Sequence, residues 1–485
     1  MDYSFQPITD WNDRFLRIAN SEISETVLVA YMQDREYARI FRVPIPVDAE
    51  AWQEQEVSKY IKTYIYNRAW SIGTYRILIN CPKRLYEQIR AAFIEEDGEY
   101  HHLASFMTKV YEKPFEIQWV EGKDIESMTP LPISETQYSP KKGAPRTSEC
   151  ARKTKSSVSV ANRIGVDLGG SDIKVVALVD GELKFYQKMN WRPMTFTDAE
   201  QHLAVVSDMI HTAKKESGLT KLDGIGISTA GVVVNAKIML SGLGVGLTES
   251  QFRDKITPMG EIIKSRFSRV DVDVAHDGDV GAIWAYVEMG LGNVLGLSLG
   301  TGLGAGFADK NGSLTGFLCE IGKSLIDMHP EAPEHIYNHT RGPALHYLSQ
   351  NAVFRLAREN RIEIDHIEVP AEKLRYVQKL VEDGNPKARE IFERIGHYLA
   401  VAVVEFHDYF GMEHVVLFGR VTTGITGEII LSRAKQTLND KFNNVAQKVK
   451  LHLPISQKMD VNLNREFGQA IAAAYLSSMK SNVKR

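Results

Sequence analysis

The sequence predicts an α/β protein that uses one supersecondary unit twice, giving two lobes, each with a mixed sheet, and a cleft between them. Three observations carry this. Ile164 to Lys174 (IGVDLGGSDIK) and Gly296 to Phe307 (GLSLGTGLGAGF) are glycine-rich turns, each entered from a short apolar run and left by another. Each return run ends at a tight-turn pair, Asp180-Gly181 in the first and Asn311-Gly312 in the second, and such pairs favour the positive φ angles of hairpins. Between the two units lies a single Asp-rich loop, AHDGDVGA, from Ala275 to Ala282.

The elements follow in chain order. Residues 1–133 read as a small α/β domain of their own, with strands at Val27 to Met32, Tyr75 to Asn80 and Glu116 to Val120, and a helix from Lys83 to about Glu95. They carry no phosphate loop, metal spacing or helix-turn-helix, so their role stays unread. Residues 134–161 are poor in large apolar side chains and cannot offset the entropy of ordering, which predicts a flexible linker. Its basic residues (Lys141, Lys142, Arg146, Arg152, Lys153, Lys155) fit a solvated tether better than a nucleic-acid contact. The first lobe spans 162–275 and the second 276–466, with a C-terminal helix, 467–480, assigned back to the first. A helical stripe runs from Asp383 to Phe410.

Composition excludes several classes. The chain has 485 residues, about two to three domains' worth. With 44% hydrophobic and 25% charged residues it is an ordinary globular composition, and a net charge of −3 argues against a polyanion binder. Three cysteines (Cys81, Cys150, Cys319) are too few and too scattered for a disulfide framework or a cysteine zinc site, and they fit a reducing compartment. No run approaches the roughly 20 apolar residues of a membrane helix; Tyr398 to Phe406 comes nearest, and Glu405 interrupts it. The N-terminus has no basic start followed by an apolar block, so a cytoplasmic location is expected.

Backbone N–H groups lining a glycine turn form a concave anion site, because the missing Cβ lets oxygens approach. In the first loop Gly169 and Gly170 supply the turn, Ser171 adds a hydroxyl, and Asp167 can hold Mg²⁺ through water. Lys174 reaches a phosphate if it turns inward; on the strand alternation the solvated orientation stands equally open. In the second loop Gly300, Thr301, Gly302 and Gly304 play the same part. Gly300, Gly302 and Ala305 also match a dinucleotide fingerprint, with Glu320 downstream, but that fingerprint must open a helix and here the chain runs into a hairpin.

Asp277 sits between the loops, where the Val270, Val272, Val274 alternation ends and a helix from Val280 to Met289 approaches. A carboxylate there suits proton acceptance from a hydroxyl during phosphoryl transfer. The competing reading is a helix cap, which Asp279 fills at least as well. A third glycine segment, Val415 to Gly424, admits an adenosine or is a plain strand-to-helix turn. His335 and His339 have helical ligand spacing, but no cysteines join them and surface or core histidines are the better reading.

Together these segments resemble the ROK family (repressors, open reading frames and sugar kinases) within the actin/hexokinase/heat-shock ATPase superfamily. DLGGSDIK is similar to its D-x-G-G-T-x-x-K phosphate motif, GIGISTAGVVV to its G-I-G-x-P-G-x-V turn, HDGDVGA to N-D-A-N-x-A-A, and CEIGK to G-E-I-G-H. LGTGLGAG resembles the second phosphate loop, and EDGNPKAREIF, HVVLFGRVTTG and FGQAIAAAY fit later segments; the likeness covers roughly 162–480. It implies a duplicated actin-like (ribonuclease H-like) fold that uses ATP and Mg²⁺ to phosphorylate a hexose, N-acetylhexosamine or related sugar acid. Asp277 would be the base, Glu320, His276 and Lys323 would face the sugar, and Gly419 would line the adenosine pocket. A homodimer is expected, without membrane or nucleic-acid partners.

The departures fall at the sugar. His276 stands for the family's Asn, Lys323 for the His that binds sugar and zinc, and Ala230 for a Pro; the C-x-C-G-x-x-G-C-x-E segment is missing, so no zinc is expected. Lys323 suggests an acceptor bearing negative charge. The alternative is a sugar-sensing regulator that does not turn its ligands over, although the winged helix such regulators carry is not visible in residues 1–133. An activator of radical dehydratases would need clustered cysteines, and Cys319 stands alone.

Overall fold

In the computed structural model the residues described are 5–21, 23–33, 37–47, 51–130, 161–268, 270–454 and 461–478. The linker expected at 134–161 lies outside them except for its last residue, as do Cys150 and the end of the helix expected to reach 480.

The N-terminal unit contains α1 (Ile8–Ser21), β1 (Ser24–Met32), β2 (Tyr37–Pro46), α2 (Ala51–Ile72), β3 (Arg76–Asn80), α3 (Lys83–Ile94), α4 (His101–Tyr111), β4 (Glu116–Trp119), α5 (Gly122–Glu126) and β5 (Thr129–Pro130). Its sheet has the order β4-β3-β1-β2-β5, with β1 antiparallel to both β2 and β3. The three expected strands and the helix α3 are present. Sequence reasoning passed over β2, whose Pro44 and Pro46 read as breakers, and α2.

The first lobe follows with β6 (Arg163–Leu168), β7 (Asp172–Val179), β8 (Glu182–Asn190), α6 (Ala199–Glu216), β9 (Gly224–Thr229), the hairpin β10 (Val232–Val234) and β11 (Lys237–Leu240), α7 (Met259–Arg266) and β12 (Val272–His276). The second contains α8 (Asp277–Trp284), β13 (Val294–Leu299), β14 (Leu303–Ala308), α9 (Gln350–Glu359), α10 (Pro370–Glu382), α11 (Pro386–Phe410), β15 (His414–Phe418), α12 (Ile425–Lys441) and β16 (Lys450–His452). The helix α13 (Val461–Ala473) closes the chain's described structure but for a short turn.

The strand orders display the duplication. The first lobe reads β12-β9-β6-β7-β8 and the second β14-β13-β15-β16, which is the same order without a counterpart of β8. In each, a hairpin (β6–β7, β13–β14) is extended by two parallel strands on its first member's other side. Asp180 and Gly181 both take positive φ, 51° and 79°, as a two-residue hairpin requires. The stripe expected from Asp383 to Phe410 is one helix that starts three residues later: Asp383 ends α10, Gly384 turns at φ 82°, Asn385 caps the Lys387 and Ala388 N–H groups, and Pro386 opens α11.

Between the lobes lies an apolar layer made by α8, α13, Val176 and Leu178 of β7, and Val294, Ala308 and Val416 of the second sheet. The helix α13 lies directly on β6 and β9. A Cβ at Gly165 would fall 1.8 Å from the Ala470 carbonyl oxygen, and one at Gly226 would fall 1.7 Å from that of Ala473. The N-terminal unit shares one continuous apolar cluster with the second lobe. Among the described residues no helix is long and apolar enough to cross a membrane.

Candidate functional site

Asp277 is the first residue of α8, directly after β12. The cap that sequence reasoning gave to Asp279 belongs to His276: with extended backbone (φ −63°, ψ 146°), its Nδ1 accepts the Gly278 N–H at 3.2 Å. Asp279 lies within the first helical turn. The His276 Nε2 is 2.8 Å from Asp277 Oδ1, and the Asp277 side chain is 45% exposed while that of His276 is 17%.

The two side chains tune one another. Burial opposes the charge on Asp277, but the His276 ring and the Gly278 N–H outweigh it, so this carboxyl lies below the usual carboxylate range. Burial likewise opposes an imidazolium, yet Asp277, then Glu320 and Asp279, hold the His276 pKa up at about 9. A ring with its proton on Nε2 satisfies both contacts, donating to Asp277 and accepting from Gly278 at Nδ1; the carboxylates favour a second proton on the ring and the Gly278 bond opposes it.

Two glycines bring Asp277 to the second loop. A Cβ at Gly278 would sit 2.1 Å from the Ala305 carbonyl oxygen, and one at Gly306 would sit 2.2 Å from the Asp279 nitrogen, so the first turn of α8 rests on β14. A Cβ at Gly304 would lie 3.7 Å from Asp277 Oδ1. From the other side, Gln469 Nε2 of α13 donates to the Asp277 carbonyl and to Ser228 Oγ of β9. Neither Gln469 nor this bridge was anticipated; the segment FGQAIAAAY was noted only for its family likeness.

The first loop faces the same region. Asp167, next to last in β6, is in register with Lys174 of β7 and Ser228 of β9. Lys174 is turned inward, 16% exposed, with Nζ 3.3 Å from Asp167 Oδ2 and 2.6 Å from Asp172 Oδ1, which settles the orientation left open above. Burial pushes the Asp167 carboxyl up; Lys174 pulls against it, and the charge of Asp277 adds to the rise. The Gly169 N–H donates to the Asp172 carbonyl at 2.9 Å, closing the turn. Trp191, which sequence reasoning missed, braces it from outside: its Nε1 donates to the Gly169 carbonyl at 2.7 Å and its backbone N–H to that of Ser171 at 3.1 Å.

Gly170 and Ser171 of the first loop and Thr301 and Gly302 of the second are exposed. Nothing lies within 4 Å of where a Cβ would stand at Gly170, Gly300 or Gly302, so these turns open onto free space. The Gly300 N–H bonds the Gly302 carbonyl at 3.0 Å, and the Gly300 carbonyl accepts from Gln350 at the start of α9 at 2.9 Å. Gly419, at φ 96°, packs beneath the second loop: a Cβ there would meet the Leu299 carbonyl oxygen at 2.4 Å.

Glu320 and Lys323 belong to a tight turn, and their side chains form an ion pair. Glu320 faces His276 closely enough to contribute to that ring's raised pKa. The same segment receives the N-terminal unit. The last carbonyls of α2, on Trp70, Ser71 and Ile72, would be orphans in an isolated helix. They accept the N–H groups of Glu320 (3.0 Å), Cys319 (2.9 Å) and Leu318 (3.0 Å). Asn67 exchanges hydrogen bonds with the backbone of Leu325 (2.7 and 3.0 Å) and reaches Glu405 at 3.3 Å; Arg68 pairs with Asp408. His335 and His339 do not share a helix, and among the described residues no group of three or more His, Cys, Asp or Glu is placed to hold a metal.

The ROK family pattern matches residues 163–455. No curated protein matches the chain. Among solved structures, the fold is similar to a ROK family transcriptional regulator, a homologue of the E. coli MLC protein, at 17% identity and a TM-score of 0.50, covering 66% of this chain and 80% of that one. A ROK hexokinase from Thermus thermophilus aligns at 19% identity (TM-score 0.48, 65% and 99% covered). A ROK glucokinase from Streptomyces griseus in complex with glucose and AMPPNP aligns at 20% (0.47, 65% and 98%). With the family pattern running through both glycine turns and the Asp277 loop, over more than half of its length, the chain belongs to the ROK family.

Proposed function

We propose that the protein transfers the γ-phosphoryl group of ATP to a hydroxyl of a hexose, N-acetylhexosamine or related sugar acid. The observation that carries this is the convergence on one carboxylate: Asp277 lies against the second glycine turn through Gly304 and is electrostatically coupled to Asp167 of the first. In this reading 162–275 with the C-terminal helix form one kinase lobe and 276–466 the other, and closure between them excludes water.

Asp277 Oδ accepts the hydroxyl proton as the phosphoryl group moves. His276 keeps that carboxylate ionised at neutral pH, which makes it a weak base. A loose phosphoryl transition state asks for little proton abstraction and much positioning, so a weak, fixed base is sufficient. Glu320 and His276 orient the acceptor. The exposed turns at Gly169, Gly170, Ser171 and at Gly300, Thr301, Gly302 cradle phosphate oxygens with backbone N–H groups. Gly419 lines the adenosine side, and Lys174 holds Asp167 in place. The donor set suits Mg²⁺, because Asp167 and Asp277 are mutually repelling carboxylates at the open turns. When bound there, held through water by Asp167, the ion would neutralise phosphate charge.

The test is Asp277→Asn. Phosphoryl transfer should fall about 10²- to 10⁴-fold while ATP binding persists; unchanged transfer refutes the assignment. A second reading draws on the same His276 contact: a carboxylate of lowered basicity also fits a sugar-sensing regulator. Sugar binding by the wild type without ADP formation across a panel of sugars would establish that one.

A further inference from the structure

The N-terminal unit reaches both lobes around Glu320. From α2 it caps the Leu318–Glu320 segment, as described, and from α4 it packs against β10 and β11 of the first lobe. Val232, Val234 and Leu240 of that hairpin join the apolar cluster which the unit shares with the second lobe. Its aromatic side chains close on Lys323. The Lys323 Nζ stands 4.9 Å from the centroid of the buried Trp70 ring and 5.1 Å from that of the half-buried Phe106 ring, while contacting the Glu320 carboxylate.

That arrangement spends the charge of Lys323. A cation between two ring faces and a carboxylate has its favourable partners already.

Resting on the kinase reading, we propose that the N-terminal unit is a working part of the acceptor site: through Trp70 and Phe106 it holds Lys323 on Glu320 and so fixes the Glu320 carboxylate for the acceptor. Lys323 is then a positioning residue for Glu320, not a receptor for an anionic acceptor. Trp70 is the less useful target, because its burial ties it to folding; Phe106 is half-buried and tolerates exchange.

The experiment uses the full chain with glucose, N-acetylglucosamine and glucuronate as acceptors. Phe106→Leu keeps apolar bulk but removes the ring face, and Phe106→Tyr keeps the face. The expected result is an acceptor KM raised about 3- to 10-fold by Phe106→Leu and restored by Phe106→Tyr, with the KM for ATP unchanged in both. An acceptor KM untouched by Phe106→Leu, or equally shifted by both variants, overturns the positioning. Calorimetric binding of the same three sugars separates this inference from the kinase reading. If the wild type binds a neutral sugar but transfers nothing, the kinase reading fails, and the effect of Phe106→Leu on the binding constant still decides this one. Binding of none of the three sugars overturns it.

Discussion

The two ends of the site are built by different means. The glycine-turn end is made of short, contiguous segments: Asp167 to Lys174 is one hairpin, Gly300 to Gly304 another, and their groups meet because the two sheets repeat one order. The Glu320 end is assembled from parts far apart in the chain, with Trp70 and Phe106 of the N-terminal unit meeting Glu320 and Lys323 of the second lobe. Local segments keep their turn geometry whatever is attached to them. A composite end can change its ligand by changing what docks on it. The departure from the family pattern at Lys323 lies where the unit docks, and that at His276 lies beside it, facing Glu320.

The largest expected effect that would break this contrast comes from Asn67→Ala. Asn67 is fully buried and satisfies both backbone groups of Leu325 and the buried Glu405. Burial already raises the Glu405 carboxyl, with Arg68 opposing, and losing Asn67 removes one of its partners. Stranding these groups should cost about 2–4 kcal/mol, read as a lowered unfolding midpoint. The acceptor KM should rise while the KM for ATP stays constant. A matching loss in both constants would show that the two ends are one cooperative unit.

The same contrast explains what the sequence made legible. Hairpins announced themselves, because Asp180-Gly181 supplies the φ angles the turn needs and β13 and β14 alternate with glycines where α8 presses. The position of Asp277 between strand and helix was likewise readable from valine alternation. The docked surface was not. The helix α2 is buried along most of its length, so it has no polar stripe to mark it, and its Asn67 and Arg68 lie inside the junction. His276 was read only as a substituted sugar ligand. Its capping role needed the ring's direction, which a one-letter code does not carry.

An intermediate effect sharpens the boundary between the ends. His276→Asn removes the ring that holds Asp277 ionised. With burial then less opposed, the Asp277 carboxyl moves up from its lowered position. The ionised form is the active one, so the acid limb of kcat/KM, which reports the free enzyme, should shift to higher pH, with the plateau reached later. A pH profile that does not move would show that His276 acts on the acceptor alone.

The smallest effect is expected at the glycine-turn end. Trp191→Phe keeps the ring against Phe196 and His202 but deletes the Nε1 donor to the Gly169 carbonyl. The backbone bond from Trp191 to Ser171 is retained, so the turn should loosen without opening. A single neutral hydrogen bond is worth about 1 kcal/mol, so the KM for ATP should rise no more than about fivefold. The acceptor KM should not change, since among the described residues Trp191 packs within the first lobe. If the acceptor KM rose instead, the first loop would have to be transmitting strain through Asp167 and Ser228 to Gln469 and the Asp277 carbonyl. That would make the Gln469 bridge, and not the shared strand order, the element that ties the two ends together.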